Sequence, residues 1–486
     1  MTISEQLRAA RFFERGQAES IPGDERPLYH LTPLVGWMND PNGFCHYQGQ
    51  YHLFYQYHPY SRTWGPMHWG HAVSGDLLHW SYLPCALAPD TQADADGCFS
   101  GTALPLPDGR LMLCYTGVRR TEEQDIQAQC LAFGDGIDFE KSPLNPVITA
   151  ACLPEGYSAR DFRDPKIWRT EDGVFHMAAV NRHKERQGCV LLFESDDGLS
   201  WRFKTELDSG RGEYGRMWEC PDFFELDGQQ ALLVSAQEMR GRGEFHPGHG
   251  SMAILGGYDP VLARFQRESV QPLDWGLDFY APQTVLTPDG RRVMIAWMEN
   301  WQHAKRTPRT HPWYGQMTLP RELFVENGRL LQRPVREIES LWQDTVRHDR
   351  VNLREMTCLP HVNGRMLDMT LTLRPESAAG RFTLLLARDE GHETRIKFDF
   401  SSGELLFDRT GDGSTLDIAH LRRVRIGLKD GRLTLRALLD KNSLELFMNG
   451  GEKVLTAQLY APPEADGVAF CASEPCVLSA EAHHLG

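Results

Sequence analysis

A glycine turn followed by a short apolar run recurs five times in this chain of 486 residues. Gly49, for example, precedes the run 51–57. The five glycines are Gly49, Gly109, Gly173, Gly228 and Gly290, and they are 60, 64, 55 and 62 residues apart. A repeat of this length, built from short strands and turns, is typical of a β-propeller in which each copy forms one blade.

A second repeat in a different phase supports the same architecture. An aspartate, an apolar residue and an aromatic residue recur at matching offsets in 76–80, 135–139 and 197–201, with a looser copy that starts at Asp259. Between residues 40 and 330 the runs rich in aromatic and β-branched residues alternate with Gly, Asp, Asn and Pro turns. The sequence therefore predicts a five-bladed β-propeller over residues 28–332.

Three of the five residues that lie nine positions before the turn glycines carry carboxyl groups. These five residues are Asp40, Ser100, Asp164, Glu219 and Ala281. Because the first strand of every propeller blade lines the central channel, equivalent positions in successive blades face one another. Asp40, Asp164 and Glu219 are therefore predicted to converge, although 179 residues separate the first from the last.

Carboxyl groups that converge in an enclosed site are the arrangement that glycoside hydrolysis needs. One carboxylate attacks or stabilises an oxocarbenium-like centre, and one carboxylic acid donates a proton to the leaving oxygen. Repulsion between such neighbours raises the pKa of at least one of them. Sugars also require aromatic and amide partners, and the residues expected to bind the sugar are Asn39, Gln56, Trp64, Phe99, Ser100, Arg163, Tyr280 and Trp297.

Simpler interpretations exist for each of these features. Asp40 alone would most often be a turn former, Arg163-Asp164 an ion pair, and Glu219 a solvated strand residue; their joint occurrence at one phase of the repeat favours a site. The pair His68 and His71 lacks further ligands at metal-binding spacing, so packing is favoured over a metal site. Cys220 is interpreted as a buried neighbour that shields Glu219 rather than as a reactive thiol.

The chain outside the repeat divides into three further regions. Residues 1–27 predict an N-terminal helical segment, and Val335, Ile338 and Leu341 predict a linking helix within 333–348. Residues 349–486 alternate strongly and predict an accessory β-sandwich, so the fold class is all-β. The predicted sandwich strands are 366–373, 382–387, 396–400, 424–428, 433–438, 444–447 and 468–471.

Composition narrows the possible partners and the compartment. The formal net charge of -15 argues against nucleic acid and against a polybasic membrane anchor. No stretch approaches the ~20 apolar residues of a membrane span, and the N-terminus lacks a secretory pattern. The 11 scattered cysteines favour a reducing cytoplasm. Oligomeric state is not predicted.

Five motifs in order resemble the motif set of glycoside hydrolase family 32, which includes invertases, sucrose-6-phosphate hydrolases, levanases and inulinases. They are WMNDPNG at 37–43, FSG at 99–101, RDP at 163–165, WECP at 218–221 and DFYAPQ at 278–283. In the second domain, DKNSLELFMN at 440–449 resembles the sandwich signature of that family, with Asn442 where a serine is more usual. The resemblance extends from about residue 28 to nearly the end of the chain.

The resemblance implies a propeller followed by a sandwich, with no metal and no organic cofactor. It makes Asp40 the nucleophile that forms a covalent fructosyl-enzyme, and Glu219 the general acid and then the base. Asp164 becomes the transition-state stabiliser beside Arg163, and Asp278 joins the substrate-binding set. Because the family retains anomeric configuration, the Asp40 and Glu219 carboxyl groups are expected about 5–5.5 Å apart.

The resemblance also implies a β-fructofuranosidase that acts on sucrose or sucrose 6-phosphate, and on short fructo-oligosaccharides as a further option. A phosphate on the substrate would need cations at the channel rim. The candidates are Arg119, Arg120, Arg182, His183, Lys184, Arg211, Arg240, Lys305 and Arg306. The alternatives are a five-bladed hydrolase of arabinose or xylose polymers and a non-catalytic carbohydrate-binding propeller; transfer of fructose instead of hydrolysis also remains open.

Overall fold

Five antiparallel sheets succeed one another around a central channel in a computed structural model that describes residues 3–185, 187–304 and 311–486. Lys305 and Arg306 lie outside the described residues. Blade 1 consists of β1 (Gly36–Tyr47), β2 (Gln50–His58), β3 (His68–Ser74) and β4 (Trp80–Leu87). Blade 2 consists of β5 (Gly97–Pro105), β6 (Leu111–Arg120), β7 (Asp125–Gly134) and β8 (Phe139–Lys141). Blade 3 consists of β9 (Arg163–Arg169), β10 (Phe175–His183), β11 (Gln187–Ser195) and β12 (Arg202–Ser209).

The last two blades complete the predicted five-bladed propeller, which is confirmed. Blade 4 consists of β13 (Met217–Leu226), β14 (Gln229–Met239), β15 (Gly248–Asp259) and β16 (Arg264–Pro272). Blade 5 begins with β17 (Tyr280–Leu286) and β18 (Arg292–Trp297); the chain then forms β19 (Trp313–Tyr314) before it returns to the blade with β20 (Arg321–Glu326) and β21 (Arg329–Pro334). Strand β19 runs parallel to β1 in blade 1, which joins the last blade to the first.

The aspartate repeat marks the turn between the third and fourth strands of blades 1 to 4. Asp76, Asp135, Asp197 and Asp259 each accept two hydrogen bonds through Oδ1 from backbone N–H groups two and three residues later. These local hydrogen bonds stabilise the turn between the two strands, which explains why aspartate recurs at these positions. The looser fourth copy at Asp259 forms the same turn.

The predicted N-terminal helix is α1 (Glu5–Ala18), and it packs on blade 1. The hydroxyl of Ser4 caps the helix by accepting a hydrogen bond from the Leu7 N–H at 3.1 Å. Glu14 is buried and accepts a hydrogen bond from the Cys85 N–H at 2.8 Å, while Arg11 donates to the Cys85 carbonyl oxygen. None of the helices among the described residues combines the length and apolar character needed to cross a bilayer.

Two sheets form the C-terminal β-sandwich. Their strands are β22 (Trp342–Leu353), β23 (Leu367–Pro375), β24 (Arg381–Arg388), β25 (Glu393–Asp399), β26 (Glu404–Gly411), β27 (Leu421–Arg425), β28 (Leu433–Asp440), β29 (Ser443–Met448), β30 (Lys453–Gln458), β31 (Gly467–Ala472) and β32 (Cys476–Leu485). Six of them form one sheet in the order β22-β32-β23-β28-β29-β30, and five form the other in the order β27-β26-β25-β24-β31. Six of the seven predicted strands coincide with observed strands, whereas the one predicted at 424–428 overlaps β27 only at Val424 and Arg425.

The predicted linking helix over 333–348 is wrong in extent and type. A 3-10 helix spans Arg336–Leu341, and strand β22 begins at Trp342. Val335, Ile338 and Leu341 are all buried and lie three residues apart, which matches the three-residue turn of a 3-10 helix. The apolar spacing therefore belongs to a 3-10 helix and not to an α-helix.

A buried ion network joins the N-terminal segment, the propeller and the sandwich. The Arg321 guanidinium donates from Nε to Glu445 Oε2 at 2.8 Å and from Nη1 to Asp274 Oδ2 at 3.0 Å. His30 bridges the sandwich residues Asp440 and Glu445 at 2.9 Å and 3.0 Å. Although burial opposes its charged form, these two carboxylates raise the pKa of His30 to about 9.

Replacing Arg321 is expected to destabilise the protein because Glu445 and Asp274 would remain buried without their cation. We expect R321M to reduce the free energy of unfolding by about 3–5 kcal/mol in urea at neutral pH. The matched control R347M removes an exposed arginine that pairs with Glu481 at 2.7 Å, and should cost less than about 1 kcal/mol. Similar losses in both variants would contradict the role of the buried network.

Candidate active site

The inner strand of every blade carries an irregularity at the same height. Pairing with the second strand skips one or two residues: Asn39 and Asp40 in β1, Ser100 in β5, Asp164 and Pro165 in β9, Cys220 and Pro221 in β13, and Ala281 and Pro282 in β17. A bulge turns side chains away from their regular direction in the sheet. The five bulges together shape one mouth of the channel.

The bulges correct the predicted register of blade 4. Cys220, and not Glu219, occupies the position equivalent to Asp40 and Asp164. The reason is that Gly228 lies seven residues after Pro221, whereas the turn glycines of the other blades lie eight residues after the corresponding proline or glycine. Glu219 therefore sits one residue earlier in its strand.

Asp40 is buried at the centre of this mouth. Its Oδ2 accepts hydrogen bonds from Ser100 Oγ at 2.8 Å and from Cys220 Sγ at 3.5 Å. Its Oδ1 has no hydrogen-bond donor among the described residues. Burial, and then the charge of Glu219, raise the pKa of Asp40 to about 6, although the Ser100 hydrogen bond works in the opposite direction.

Asp164 lies near Asp40, and Cys220 contacts the carboxyl groups of both residues. Its Oδ2 accepts the Cys220 N–H at 2.9 Å, and the Cys220 thiol lies 3.8 Å from the same oxygen. The backbone N–H of Asp164 donates to Thr116 Oγ1, and its φ of 60° belongs to the left-handed region. Burial raises the pKa of Asp164 to about 7 against the opposing charge of Arg163.

Glu219 is held by three donors. Arg163 Nη2 reaches Oε1 at 2.9 Å, while the Tyr280 hydroxyl and Gln237 Nε2 both reach Oε2 at 2.7 Å. Sequence reasoning missed Gln237, because it lies on β14 outside every motif and only strand pairing brings it beside Glu219. The three predicted carboxyl groups thus occupy one site, linked through Cys220 and Arg163.

Aromatic side chains occupy two levels around the carboxyl groups. Trp64 is 40% exposed and meets the Phe99 ring edge-on at 6.0 Å, which places this pair at the rim. Trp37 lies deeper, where Tyr314 stacks on it at 4.6 Å and its Nε1 donates to Asn39 Oδ1 at 2.7 Å. Trp297 is fully buried, so the prediction that it contacts the sugar is wrong.

Gln56 is also more enclosed than a free sugar-binding amide. It lies opposite the bulge of β1, and its Nε2 donates to the Cys98 carbonyl oxygen at 2.9 Å. Only 2% of its surface is exposed. Gln56 therefore links blade 1 to blade 2 through this hydrogen bond.

The expected role of Asp278 in substrate binding is wrong. Its carboxylate is fully buried at the interface with the sandwich, where Arg409 Nη1 lies at 2.7 Å and the Gln458 N–H at 2.8 Å. Burial raises its pKa, but Arg409 and His303 outweigh that effect and hold the pKa below its usual range. The side chain is committed to the second domain, which the motif alone could not reveal.

One group of three potential metal ligands is found among the described residues, and it lies at this same interface. Asp278, Glu299 and His303 offer ligand atoms within 4.8 Å of one another. Arg409 already supplies a positive charge to Asp278, and a cation placed there would be repelled by the guanidinium. These residues are best explained as a domain contact.

A cavity of about 560 Å³ has Arg216, which lies three residues before Glu219, in its wall. Arg182, His183 and Lys184 line it, together with Arg216, which sequence analysis did not select. Asp161 connects the cavity to the carboxyl groups, because Arg182 Nε binds it at 2.9 Å and Arg163 lies 3.8 Å away. Arg211 lines a different cavity.

The geometry provides the groups for acid–base and nucleophilic chemistry on a polar substrate. No donor among the described residues reaches Asp40 Oδ1, and Glu219 is oriented by its three hydrogen-bond donors. Burial and the charge of Glu219 raise the pKa values of both Asp40 and Asp164, as expected for converging carboxyl groups. The Cys220 thiol stays neutral, because burial and the three carboxyl groups hold its pKa well above its usual range.

Family comparisons cover nearly the whole chain. The family model "Glycosyl hydrolases family 32 N-terminal domain" matches residues 30–334, and "Glycosyl hydrolases family 32 C terminal" matches residues 337–484. These two ranges coincide with the propeller and with the second domain.

Individual relatives agree with the family comparison. The chain is 40% identical over 448 residues to a raffinose invertase of Escherichia coli, covering 90% of both chains, and 38% identical to a sucrose-6-phosphate hydrolase of the same species, covering 92% of both. A Bombyx mori GH32 β-fructofuranosidase mutant in complex with sucrose superposes with a TM-score of 0.86 at 34% identity, covering 100% of this chain and 99% of the other. A sucrose-6-phosphate hydrolase of Lactobacillus gasseri gives a TM-score of 0.85 at 27% identity, covering 99% and 96%.

Proposed function

This chain belongs to glycosyl hydrolase family 32, and on that basis we propose that it hydrolyses the fructosyl bond of sucrose or sucrose 6-phosphate as a retaining β-fructofuranosidase. The observation that carries the proposal is that one site holds both Asp40, whose Oδ1 has no donor among the described residues, and Glu219, whose carboxyl group three partners orient. A nucleophile and an acid/base are the two groups that retention needs.

In the first step, Asp40 attacks the anomeric carbon of the fructosyl unit. A bond forms between a carboxylate oxygen of Asp40 and that carbon, while the bond from the carbon to the bridging oxygen breaks. Glu219 gives its proton to the bridging oxygen, so that the other sugar leaves as a neutral alcohol. The product of this step is a covalent fructosyl-enzyme.

In the second step, water replaces the sugar that has left. Glu219, now a carboxylate, removes a proton from the water while the water oxygen attacks the anomeric carbon. The bond to Asp40 breaks, fructose is released, and both carboxyl groups return to their starting states. Two displacements at the same carbon retain its configuration.

Asp164 and Arg163 are proposed to support these steps. Asp164 would hold fructose hydroxyl groups and stabilise the oxocarbenium-like transition state, because its carboxyl group lies next to Asp40 across Cys220. Arg163 positions Glu219 through the 2.9 Å contact. Trp64 and Phe99 would contact the sugar at the rim.

Removing either reacting carboxylate is expected to abolish catalysis while the fold survives. D40N and E219Q should each lower kcat by at least about 10³-fold on sucrose, because neither amide can attack or exchange a proton in these steps. Fructose release measures activity, and thermal unfolding checks the fold. The control D161N changes a nearby carboxylate outside the two reacting positions. A D40N enzyme with near wild-type kcat would contradict the assignment.

The pH dependence of kcat/KM should report the ionisation of Asp40. The nucleophile must be deprotonated, so activity is expected to fall as pH decreases through about 6. S100A removes a hydrogen bond that stabilises the carboxylate, which should move this acid limb upward by about 0.5–1 pH unit. S195A is the control, because Ser195 donates to Asp197 at 2.9 Å in an outer turn. A downward shift in S100A would be inconsistent with this account.

The cavity beside Glu219 is proposed to receive the phosphate of sucrose 6-phosphate. The leaving sugar departs next to Glu219, and Arg182, Lys184 and Arg216 line the adjoining space. Lys184 pairs with Glu155 at 3.8 Å and Arg216 with Glu238 at 3.2 Å, and all four side chains are more than half exposed. Such exposed pairs are weak, so a phosphate can replace the carboxylates as partners.

Removing positive charge from this cavity should weaken the binding of sucrose 6-phosphate more than the binding of sucrose. K184Q and R216Q are expected to raise KM for sucrose 6-phosphate by about tenfold, because each removes a charge-assisted contact, while KM for sucrose changes less than about twofold. R240Q is the control, since Arg240 is exposed and does not line the cavity. Equal effects on both substrates would exclude this cavity as the phosphate site.

The cytoplasm is the compartment we propose. All eleven cysteines are free thiols in the structure, and eight of them are buried in the two domains. Free thiols persist in a reducing compartment. The curated relatives named sucrose-6-phosphate hydrolase are bacterial proteins.

A further inference from the structure

The channel has a second mouth at the end opposite the carboxyl groups. The inner strands run in the same direction around the axis, and the catalytic residues lie in their first halves. The second halves therefore converge at the other end, where they line a cavity of about 810 Å³. The strand segments concerned are 44–46, 103–105, 166–168, 223–225 and 284–286.

Hydrogen bonds between blades separate the two mouths. Gln283 Nε2 donates to the Gly101 carbonyl oxygen at 2.9 Å, and Thr102 Oγ1 donates to the Pro165 carbonyl oxygen at 2.9 Å. Asp222 Oδ2 accepts the Thr284 N–H at 2.6 Å. A ligand in the second mouth is therefore not in the catalytic centre.

An arginine that forms no direct ion pair with the described residues lines this cavity. Within the described part of the chain, the Arg292 guanidinium makes no hydrogen bond and no ion pair, and its carbon lies 4.6 Å from the centre of the Phe224 ring. Burial lowers its pKa, which is the mark of a cation held without full compensation. A partly buried guanidinium with open donors favours an oxyanion partner.

Polar groups beside Arg292 complete the wall. Asp222 is their common neighbour, because it pairs with Lys166 Nζ at 2.9 Å, binds the backbone of Thr284 and exerts its charge on Arg292. Thr284 is only 2% exposed, and its Oγ1 has no hydrogen-bond partner among the described residues. Two cations and one buried carboxylate leave one positive charge at the inner wall.

The remaining carboxylates of the cavity do not cancel that charge at close range. Glu194 pairs with Lys204 at 2.9 Å, and Asp172 and Glu225 are exposed to solvent. Aromatic groups form another part of the wall, where Trp168 stacks on His176 at 5.4 Å. The cavity therefore combines a positive inner wall with an aromatic side.

We propose that this second mouth binds a small phosphomonoester. Arg292 and Lys166 would hold the phosphate oxygens, and Thr284 Oγ1 would donate a further hydrogen bond to them. The organic part would lie against Trp168, because a cavity of about 810 Å³ is larger than a bare phosphate needs. Free inorganic phosphate shares the same head-group chemistry. This site is independent of the fructosyl-transfer step.

Calorimetric titration of the full-length enzyme tests the site with three probes: glucose 6-phosphate, inorganic phosphate and citrate. We expect glucose 6-phosphate to bind in wild type and in R216Q, whose change lies at the catalytic rim. R292Q and T284V should weaken that binding at least tenfold, because they remove the cation and a donor. Both variants should retain kcat/KM for sucrose within about twofold, which verifies the fold.

The outcomes separate the sources of binding. Tighter binding of glucose 6-phosphate than of inorganic phosphate supports a phosphomonoester, and equal affinity overturns the proposed contact with the organic part. Binding of citrate alone overturns the choice of phosphate. Loss of binding in R216Q, with R292Q unaffected, places the ligand at the catalytic rim and overturns the proposal. Absence of any binding to wild type overturns it as well.

Discussion

Closure of five blades around one axis is the constraint on which the rest of this structure depends. It forces five inner strands to run in the same direction, so that equal strand positions lie at equal heights in the channel. Asp40, Asp164 and Glu219 are brought together by this closure. Their burial and repulsion raise the pKa values of Asp40 and Asp164, and Arg163 supplies the compensating charge to Glu219.

The sandwich supports the site through a chain of side-chain contacts. Gln458 of the sandwich donates to Glu299 at 3.3 Å, Glu299 accepts the Tyr314 hydroxyl at 2.5 Å, and Tyr314 stacks on Trp37. Trp37 in turn fixes Asn39, the residue before Asp40, through its indole N–H. The second domain is therefore coupled physically to the position of Asp40, the proposed nucleophile, although it contributes no carboxyl group to the site.

Much of the architecture was predictable because turns carry local chemistry. Asp76, Asp135 and Asp197 recur because their side chains bond to the backbone two and three residues later, and such bonds are visible as sequence repeats. The linking helix was misassigned because apolar residues three apart suit a 3-10 helix as well as an α-helix. Asp278 was misplaced because its partner Arg409 lies 131 residues further along the chain.

The number of blades, the three carboxyl groups that converge and the separation into two domains can all be read from the sequence alone. These properties follow from repeats and motifs that are continuous along the chain. The tertiary fold was needed to show that Cys220 takes the bulge position in blade 4, that Gln237 holds Glu219, and that Arg292 forms no ion pair with the described residues. Each of these depends on which distant segments of the chain lie side by side, and the spacing of the turn glycines does not by itself fix the register of the strands that they connect.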